Sequence, residues 1–337
     1  MKYFLGIVVI GMLVLVSACG GGGSSASSKT QFLTIATAST GGTFYPIGIG
    51  LGQLWTEKLG DEGIKATGQS SAGSVENIDL LRNGEAQLAV LQGIVGPMAY
   101  EGIGEFEGNK YEDLRSISML WPNVEHFVLK ESKVKTGTIS DIEGKKYSIG
   151  ARASGTEMSS NAIFAGLGYG EGDIKLDYLG FSESASSIKD GRLDGAALPG
   201  GVPVSAVTDL YASNSGTTIL EVTEEQLDLI NSKYPIFFPY EVPAGSYPGQ
   251  DEPIQTIAQP NWLGLSMKLD EELVYNLTKT LFENLDYMYG IHESAKEMKL
   301  ETALDGLPAP LHVGAYKYFK EVGLEIPENL IPPEANE

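Results

Sequence analysis

Cysteine is almost absent from this chain, which has only Cys19 in 337 residues. A body without a second thiol forms no internal disulfide, so its stability has to come from packing. Hydrophobic residues make up 42% of the chain, enough for a large core, and the length favours two lobes over one.

Basic residues are also scarce. Lys and Arg number 23 against 44 Asp and Glu, which gives a formal net charge of −21. Such a chain repels nucleic acid, which is therefore excluded as an expected partner. The acidic residues are scattered, which favours a solvated exterior over metal storage, and we expect neither metal nor cofactor.

Motifs for catalysis are missing as well. His126, His292 and His312 lie far apart in sequence, and neither H-E-x-x-H nor G-x-S-x-G occurs. Without a nucleophile or a metal-ligand pattern, the sequence predicts a protein that is not an enzyme. Turnover of a bound ligand would be the sign of an enzyme on a related fold.

The N-terminal segment is typical of an export signal. Residues 1–18 hold one Lys and an apolar run from Tyr3 to Val16, and "VSAC" ends at Cys19. This pattern predicts a lipoprotein signal at 1–18, a lipid on Cys19 and a location outside a bacterial cytoplasmic membrane. The alternative is a plain signal peptide with an incidental cysteine. The Gly- and Ser-rich residues 19–29 are expected to be a flexible tether.

A glycine-rich corner follows the first predicted strand of the body. In "TIATASTGGTFYPIG", an alternating stretch runs through Ser39–Thr43 into a helical pattern. A helix N-terminus at such a corner can bind an anion. Neither the lysine of a phosphate loop nor a G-x-G-x-x-G follows the strand, so a carboxylate is favoured over phosphate. Alternatively, Gly41 and Gly42 only make a tight turn, and Gly48, Gly50 and Gly52 only allow close helix packing.

A second corner resembles the first. "IGARASGT" repeats the pattern of "IATASTGGT", and "SSIKDGRLDGAA" echoes "DLLRNGEAQLAV". We expect two similar α/β lobes with the corners facing across a cleft. Arg152 could clamp a carboxylate there, or only offset acidic neighbours. Ser74 is expected to cap a helix, and Ser74 and Asn77, one turn apart, could hydrogen-bond a ligand.

The lobes need two segments that cross between them. Residues 126–132 and 261–270 alternate like strands and are assigned to this role. The expected division is 30–124 for lobe 1, 125–262 for lobe 2, and 263–337 for a helical part that returns to lobe 1. Asp270 is predicted to cap a helix there.

Several segments together resemble one known family. In order, they are "TASTGGTFYPIG", "SVENIDLL", "GARASGTE", "FSESASSIKDGRLDGA", "PAGSYPGQDE", "LTKTLFENL" and "PAPLHVGAYKYFKEVGL". They are similar to the TAXI class of solute receptors, which serve tripartite ATP-independent periplasmic (TRAP) transporters. The resemblance covers Thr34 to Leu324. It implies an α/β, type II periplasmic-binding-protein fold that closes around a small carboxylate, such as glutamate, glutamine or 2-oxoglutarate, and delivers it to a TRAP permease.

The resemblance also implies a ligand site. The expected residues are Ser39, Thr40, Gly41, Gly42, Thr43, Tyr45, Ser74, Asn77, Gln92, Arg152, Ser154, Gly155, Thr156, Glu157, Phe181, Pro199, Gly200 and Gly201. Phe44 and Trp121 could shape the same pocket. Arg152-Ala153 departs from the family's pattern, which puts the ligand's identity in doubt at that end. A second possibility is a receptor that presents its ligand to a membrane sensor instead of a permease.

Overall fold

The computed structural model describes residues 30–336. The predicted signal, Cys19 and the whole of the tether lie outside the described residues. Between 30 and 336, no helix has both the length and the apolar character needed to cross a bilayer.

The first sheet is mixed and holds both early and late strands. Its strands are β1 (Gln31–Ala36), β2 (Ile64–Gln69), β3 (Leu88–Gln92), β4 (Leu114–Val124), β10 (Phe238–Val242) and β11 (Ile254–Ser266). Strand β1 pairs in parallel with β2 and β3, and β11 runs antiparallel to β3, β4 and β10. The helices between its first strands are α1 (Phe44–Leu59), α2 (Ser74–Asn83) and α3 (Val95–Glu101).

The second sheet is built from the middle of the chain. Its strands are β5 (Phe127–Lys130), β6 (Lys146–Ser148), β7 (Lys175–Asp177), β8 (Gly195–Ala197) and β9 (Thr217–Leu220). Its helices are α4 (Gly155–Gly166), α5 (Phe181–Lys189), α6 (Ser205–Ala212) and α7 (Glu224–Asn231). Strand β6 pairs in parallel with β7 and β8, and β5 lies antiparallel to β8 and β9.

The two sheets repeat one plan. The run β1-α1-β2-α2-β3 has its counterpart in β6-α4-β7-α5-β8, with the first strand central in both. In each unit the first helix connects the central strand to its neighbour on one side. The second helix connects that neighbour to the strand on the other side of the central strand. The predicted echo between "IATASTGGT" and "IGARASGT" therefore reflects a real structural repeat. Both glycine-rich corners follow the central strand of their unit, at the point where the chain connections lead to opposite sides of that strand. Ligands usually bind at this position in such sheets.

The C-terminal helices return to the first lobe, where they pack against α1 and against one another. They are α8 (Glu271–Glu283), α9 (Leu285–Tyr289) and α10 (Val313–Glu321). The predicted cap is confirmed, since Asp270 accepts a hydrogen bond of 2.9 Å from the main-chain N–H of Leu273. Trp55 of α1 donates from its indole N–H to the carbonyl of Leu277 at 3.0 Å, which ties α8 to α1.

The crossings between the sheets differ in part from the expectation. The chain leaves the first sheet after β4, passes through residues 125–126 and enters the second at β5; it returns between β9 and β10. Residues 261–266, assigned to the second crossing, instead pair inside the first sheet, and residues 238–262, expected in lobe 2, include two of its strands. An alternating pattern identifies a strand but not its partner. The other lobe boundaries stay a prediction.

Candidate functional site

The two lobes touch across the cleft at both glycine-rich corners. The main-chain N–H of Glu76, in the first turn of α2, donates to the carbonyl of Ala153 at 3.0 Å. On the other side of the cleft, the hydroxyl of Thr43 donates to the carbonyl of Gly201 at 3.1 Å. The N–H of Ala206 also reaches the carbonyl of Gly41 at 3.2 Å. The lobes are therefore closed on each other.

Close approach explains three glycines at these corners. A Cβ on Gly41 would lie 2.6 Å from the Ser182 hydroxyl, and one on Gly155 would lie 2.8 Å from both Gln92 Oε1 and Ser74 Oγ. Gly73 has φ +135°, and its Cβ would lie 3.2 Å from Ser154. These contacts all join one lobe to the other, so any larger residue would hold the lobes apart.

A small cavity remains between the corners. Its lining residues are Ala38, Ser39, Gly42, Thr43, Phe44, Ala72, Gly73, Ser74, Gln92, Ala151, Ser154, Gly155, Thr156, Gly180, Phe181 and Pro199. Its volume is about 30 Å³, enough for roughly two water molecules. A solute of amino-acid size enters only when the lobes stand further apart.

Four helices begin at this cavity. Thr43 and Phe44 start α1, Gly73 and Ser74 start α2, Ser154 and Gly155 start α4, and Gly180 and Phe181 start α5. The first N–H groups of a helix have no partner within it, and they carry a partial positive charge. In α4 the N-cap side chain is used, since Ser154 Oγ accepts the N–H of Glu157 at 3.0 Å. The N-cap residues of α1, α2 and α5 make no such side-chain bond, although Glu183 accepts the N–H of Gly180 at 3.0 Å.

The lining is otherwise neutral. None of these lining residues, all within the described chain, is Asp, Glu, Lys or Arg. The Gln92 side chain is 4% exposed and its Oε1 has no hydrogen-bond partner in the described structure. Its main-chain N–H donates to Ser74 Oγ at 3.0 Å. Dipoles and hydrogen bonds, not a formal cation, therefore determine what the cavity holds.

Most of the expected site residues line this cavity. Those that do are Ser39, Gly42, Thr43, Ser74, Gln92, Ser154, Gly155, Thr156, Phe181 and Pro199. Those outside the lining are Thr40, Gly41, Tyr45, Asn77, Arg152, Glu157, Gly200 and Gly201. Ser74 is the first helical residue of α2 and its hydroxyl binds β3, whereas Gly73 occupies the capping position that was expected for Ser74.

Asn77 has a different task from the one expected. Its side-chain amide donates to the carbonyls of Thr37 at 2.7 Å and Val90 at 3.0 Å, and its oxygen accepts from Ser71 at 2.6 Å. The side chain is fully buried. It holds the ends of β1 and β3 together behind the cavity, and its polar atoms are already used.

Arg152 does not reach the cavity in the closed form. Its guanidinium stacks on the Tyr178 ring, 3.5 Å from the centroid, and pairs with Glu157 at 3.3 Å. The side chain is 70% exposed. Glu157 in turn accepts the N–H of Ala153 at 2.8 Å and holds that residue at φ 59°. Arg152 and Glu157 therefore stabilise the loop in which the Ala153 carbonyl accepts the N–H of Glu76.

Sequence reasoning missed several small lining residues. They are Ala38, Ala72, Gly73, Ala151 and Gly180. Alanine and glycine have no chemistry that would single them out in a sequence. Gly73 could have been found, since it directly precedes Ser74, the residue expected to cap a helix. Trp121 lies away from this cavity and lines a separate one, while its ring packs edge-on against Phe44 at 5.8 Å.

Comparison with protein families gives one match. The model of the NMT1-like family matches residues 35–323, which include both corners and every helix that begins at the cavity. The TAXI class named by the sequence resemblance is a finer assignment than this match.

Solved structures of low sequence identity share the fold. A protein from Bordetella bronchiseptica RB50 is 14% identical, with a TM-score of 0.52 over 90% of this chain and 85% of that chain. An ancestral arginine-binding protein bound to arginine is 16% identical, with a TM-score of 0.50 over 80% and 98%. A putative L-cystine ABC transporter from Listeria monocytogenes is 13% identical, with a TM-score of 0.50 over 80% and 99%. The expected type II periplasmic-binding-protein fold is confirmed.

The contacts of Asn77 generate a stability prediction. Asn77→Ala removes the amide donor of the Val90 carbonyl and one of the two donors of the Thr37 carbonyl, which also accepts from the Ser71 hydroxyl at 3.0 Å. We therefore expect the free energy of unfolding to fall by about 1–3 kcal/mol. Asn83→Ala, an exposed asparagine at the end of the same helix, should change it by less than about 0.5 kcal/mol. Urea denaturation followed by circular dichroism measures both. Equal stabilities of the two variants would contradict this role.

Proposed function

The chain belongs to the NMT1-like family, and from this membership and the cavity geometry we propose that it is an extracytoplasmic solute receptor for a small carboxylate. The observation that carries the proposal is the convergence of four helix N-termini on one uncharged cavity. N–H groups and hydroxyls at helix N-termini bind anions without a cation. A carboxylate with one negative charge matches this set, since no lining Lys or Arg offsets a second charge.

The receptor works as a clamp. In the open form the carboxylate meets the N-termini of α1 and α2, and closure then brings those of α4 and α5 onto it. The main-chain bonds from Glu76 to Ala153 and from Ala206 to Gly41 form only in the closed form. The ligand therefore favours closure because it gains contacts from both lobes.

We assign delivery to a TRAP permease. The support for this step is the sequence resemblance to TAXI receptors from Thr34 to Leu324 and the predicted lipid on Cys19, which would keep the receptor at the membrane. Two of the similar structures carry names of an arginine-binding protein and an L-cystine ABC transporter. The shared fold therefore supports a solute receptor, and the motifs favour TRAP over ABC import. The receptor itself performs no catalysis.

A thermal-shift screen tests the ligand class. At about 100 times its dissociation constant, a carboxylate should stabilise the protein by about 2.7 kcal/mol and raise Tm by several degrees. The primary amide of the same acid, matched in shape but uncharged, is the control and should give a much smaller shift. An equal shift with acid and amide, or a shift only with sugars or cations, would argue against carboxylate recognition.

The Gly155→Ala variant tests the cavity itself. The added methyl group would clash with Gln92 and Ser74 across the cleft and hold the lobes apart. We therefore expect at least about a tenfold loss of affinity for the carboxylate identified by the screen, since about 1.4 kcal/mol of lost contact suffices. The fold should survive because alanine is well suited to a helix. Gly170→Ala is the matched control, with its nearest neighbour 3.7 Å from the new methyl. Calorimetric titration that finds unchanged affinity in Gly155→Ala would place the ligand elsewhere.

Uptake by vesicles that contain the permease tests the transport route. With this receptor and the labelled carboxylate, we expect accumulation that depends on an ion gradient and persists without ATP. Receptor with Gly155→Ala should support less uptake than Gly170→Ala. A strict requirement for ATP would instead indicate an ABC importer.

A further inference from the structure

Two adjacent titratable residues form the first crossing between the sheets. Glu125 and His126 follow β4 and precede β5, and both side chains are completely buried. Neither residue lines the ligand cavity. A buried carboxyl is rare unless it is paired, so the position of Glu125 needs a physical explanation.

Glu125 binds the first sheet on one side. Its main-chain N–H donates to the carbonyl of Ile257 at 2.9 Å, and its carbonyl accepts from the Thr256 hydroxyl at 2.8 Å. Its Oε1 accepts from the Gln259 side-chain amide at 3.2 Å. The oxygen of Gln259 accepts the N–H of Ile94, just before α3, at 2.9 Å. The carboxyl is thus linked through β11 to the core of the first lobe.

On its other side, Glu125 faces the second lobe. The side chain of Ser159 on α4 lies beside the carboxyl, and its hydroxyl donates to the carbonyl of Thr156 at 3.4 Å. Glu125 Oε2 is buried with no hydrogen-bond partner in the described chain, as are the hydroxyls of Tyr147 on β6 and Ser160 on α4. Helix α4 is the one whose first residues, Gly155 and Thr156, form a wall of the ligand cavity.

No cation compensates a charge at this position. None of the ion pairs within residues 30–336 includes Glu125. The His126 ring is engaged elsewhere, with Nδ1 at 2.9 Å from the carbonyl of Val124 and Nε2 at 2.8 Å from the Tyr247 hydroxyl. The remaining titratable group that faces the carboxyl is Tyr147. The site therefore suits a neutral carboxylic acid.

Burial shifts the pKa values of Glu125, His126 and Tyr147 away from one another. It raises the pKa of Glu125 to about 8, while the side chains of Gln259 and Ser159 oppose the shift. It lowers the pKa of His126 to about 4, and it raises the pKa of Tyr147 well above its usual value. Between pH 6 and pH 9, Glu125 is thus the member of this cluster whose charge changes.

We propose that Glu125 is a positioning residue of the clamp: as a neutral acid it holds α4 against β11, and loss of its proton favours the open form. An ionised carboxylate needs water, and separation of α4 from β11 admits it. The closed form therefore binds the proton more tightly than the open form. The equilibrium shifts toward open as the pH rises from the ordinary carboxyl range, about 4.5, to about 8, and it is constant above that. Weaker ligand binding at pH 8 than at pH 6 follows, and this last step alone rests on the proposed function.

Hydrogen exchange tests the proposal on the full chain without ligand. The amides of Glu76 and Ala206 donate across the cleft, so their protection reports closure. After correction for intrinsic exchange rates, we expect protection in the native protein to fall by up to about tenfold per pH unit between about pH 5 and pH 8 and to level off above pH 8. Glu125→Gln should keep constant protection over this range, and Glu85→Gln, an exposed control, should behave like the native protein.

Two results would overturn the proposal. One is native protection that stays constant from pH 5 to pH 8; the other is the same loss over this range in Glu125→Gln. If Glu125→Gln does not fold, the native profile alone decides, because a flat profile rejects a proton-linked clamp. This readout involves no ligand, so a failed carboxylate screen would reject the proposed function and leave the hinge result standing.

Discussion

The convergence of helix N-termini on one closed cavity is the constraint on which the rest of this structure depends. Peptide N–H groups at the start of a helix have no partner within it. Here the starts of α1, α2 and α5 have no side-chain bond from their N-cap residues. Together with α4 they meet between two lobes whose contact leaves about 30 Å³. An anion offers hydrogen-bond acceptors to these N–H groups, so we expect anion binding and lobe closure to occur together.

The internal repeat explains how this convergence arises. Each half places its central strand, β1 or β6, between two parallel neighbours, and a glycine-rich corner follows that strand. When two such units face each other, their corners oppose each other across the cleft. Small residues such as Gly41 and Gly155 let the backbones approach within contact distance. The buried polar cluster around Glu125 lies at the first crossing, outside the cavity lining. In our proposal, its proton affects the same closure.

Much of this arrangement could be predicted from the sequence. The corner at Ser39–Thr43, the helix cap at Asp270 and the repeat of the two corners all follow from local chemistry and periodicity. Other features could not. Asn77 has the right chemistry for a ligand contact but uses its polar atoms on Thr37 and Val90, and Arg152 stacks on Tyr178. Whether a polar side chain is already satisfied depends on carbonyls distant in sequence.

The sequence by itself determined the two corners and the absence of cationic phosphate-loop chemistry, because these properties depend on residues that are neighbours along the chain; the type of fold was implied by the family resemblance. Only the tertiary structure decided that β10 and β11 return to the first sheet, that four helix starts share one cavity, and that Glu125 is buried against β11. Strand pairing and burial are set by contacts between distant segments, and the hydropathy of a segment does not specify its partner.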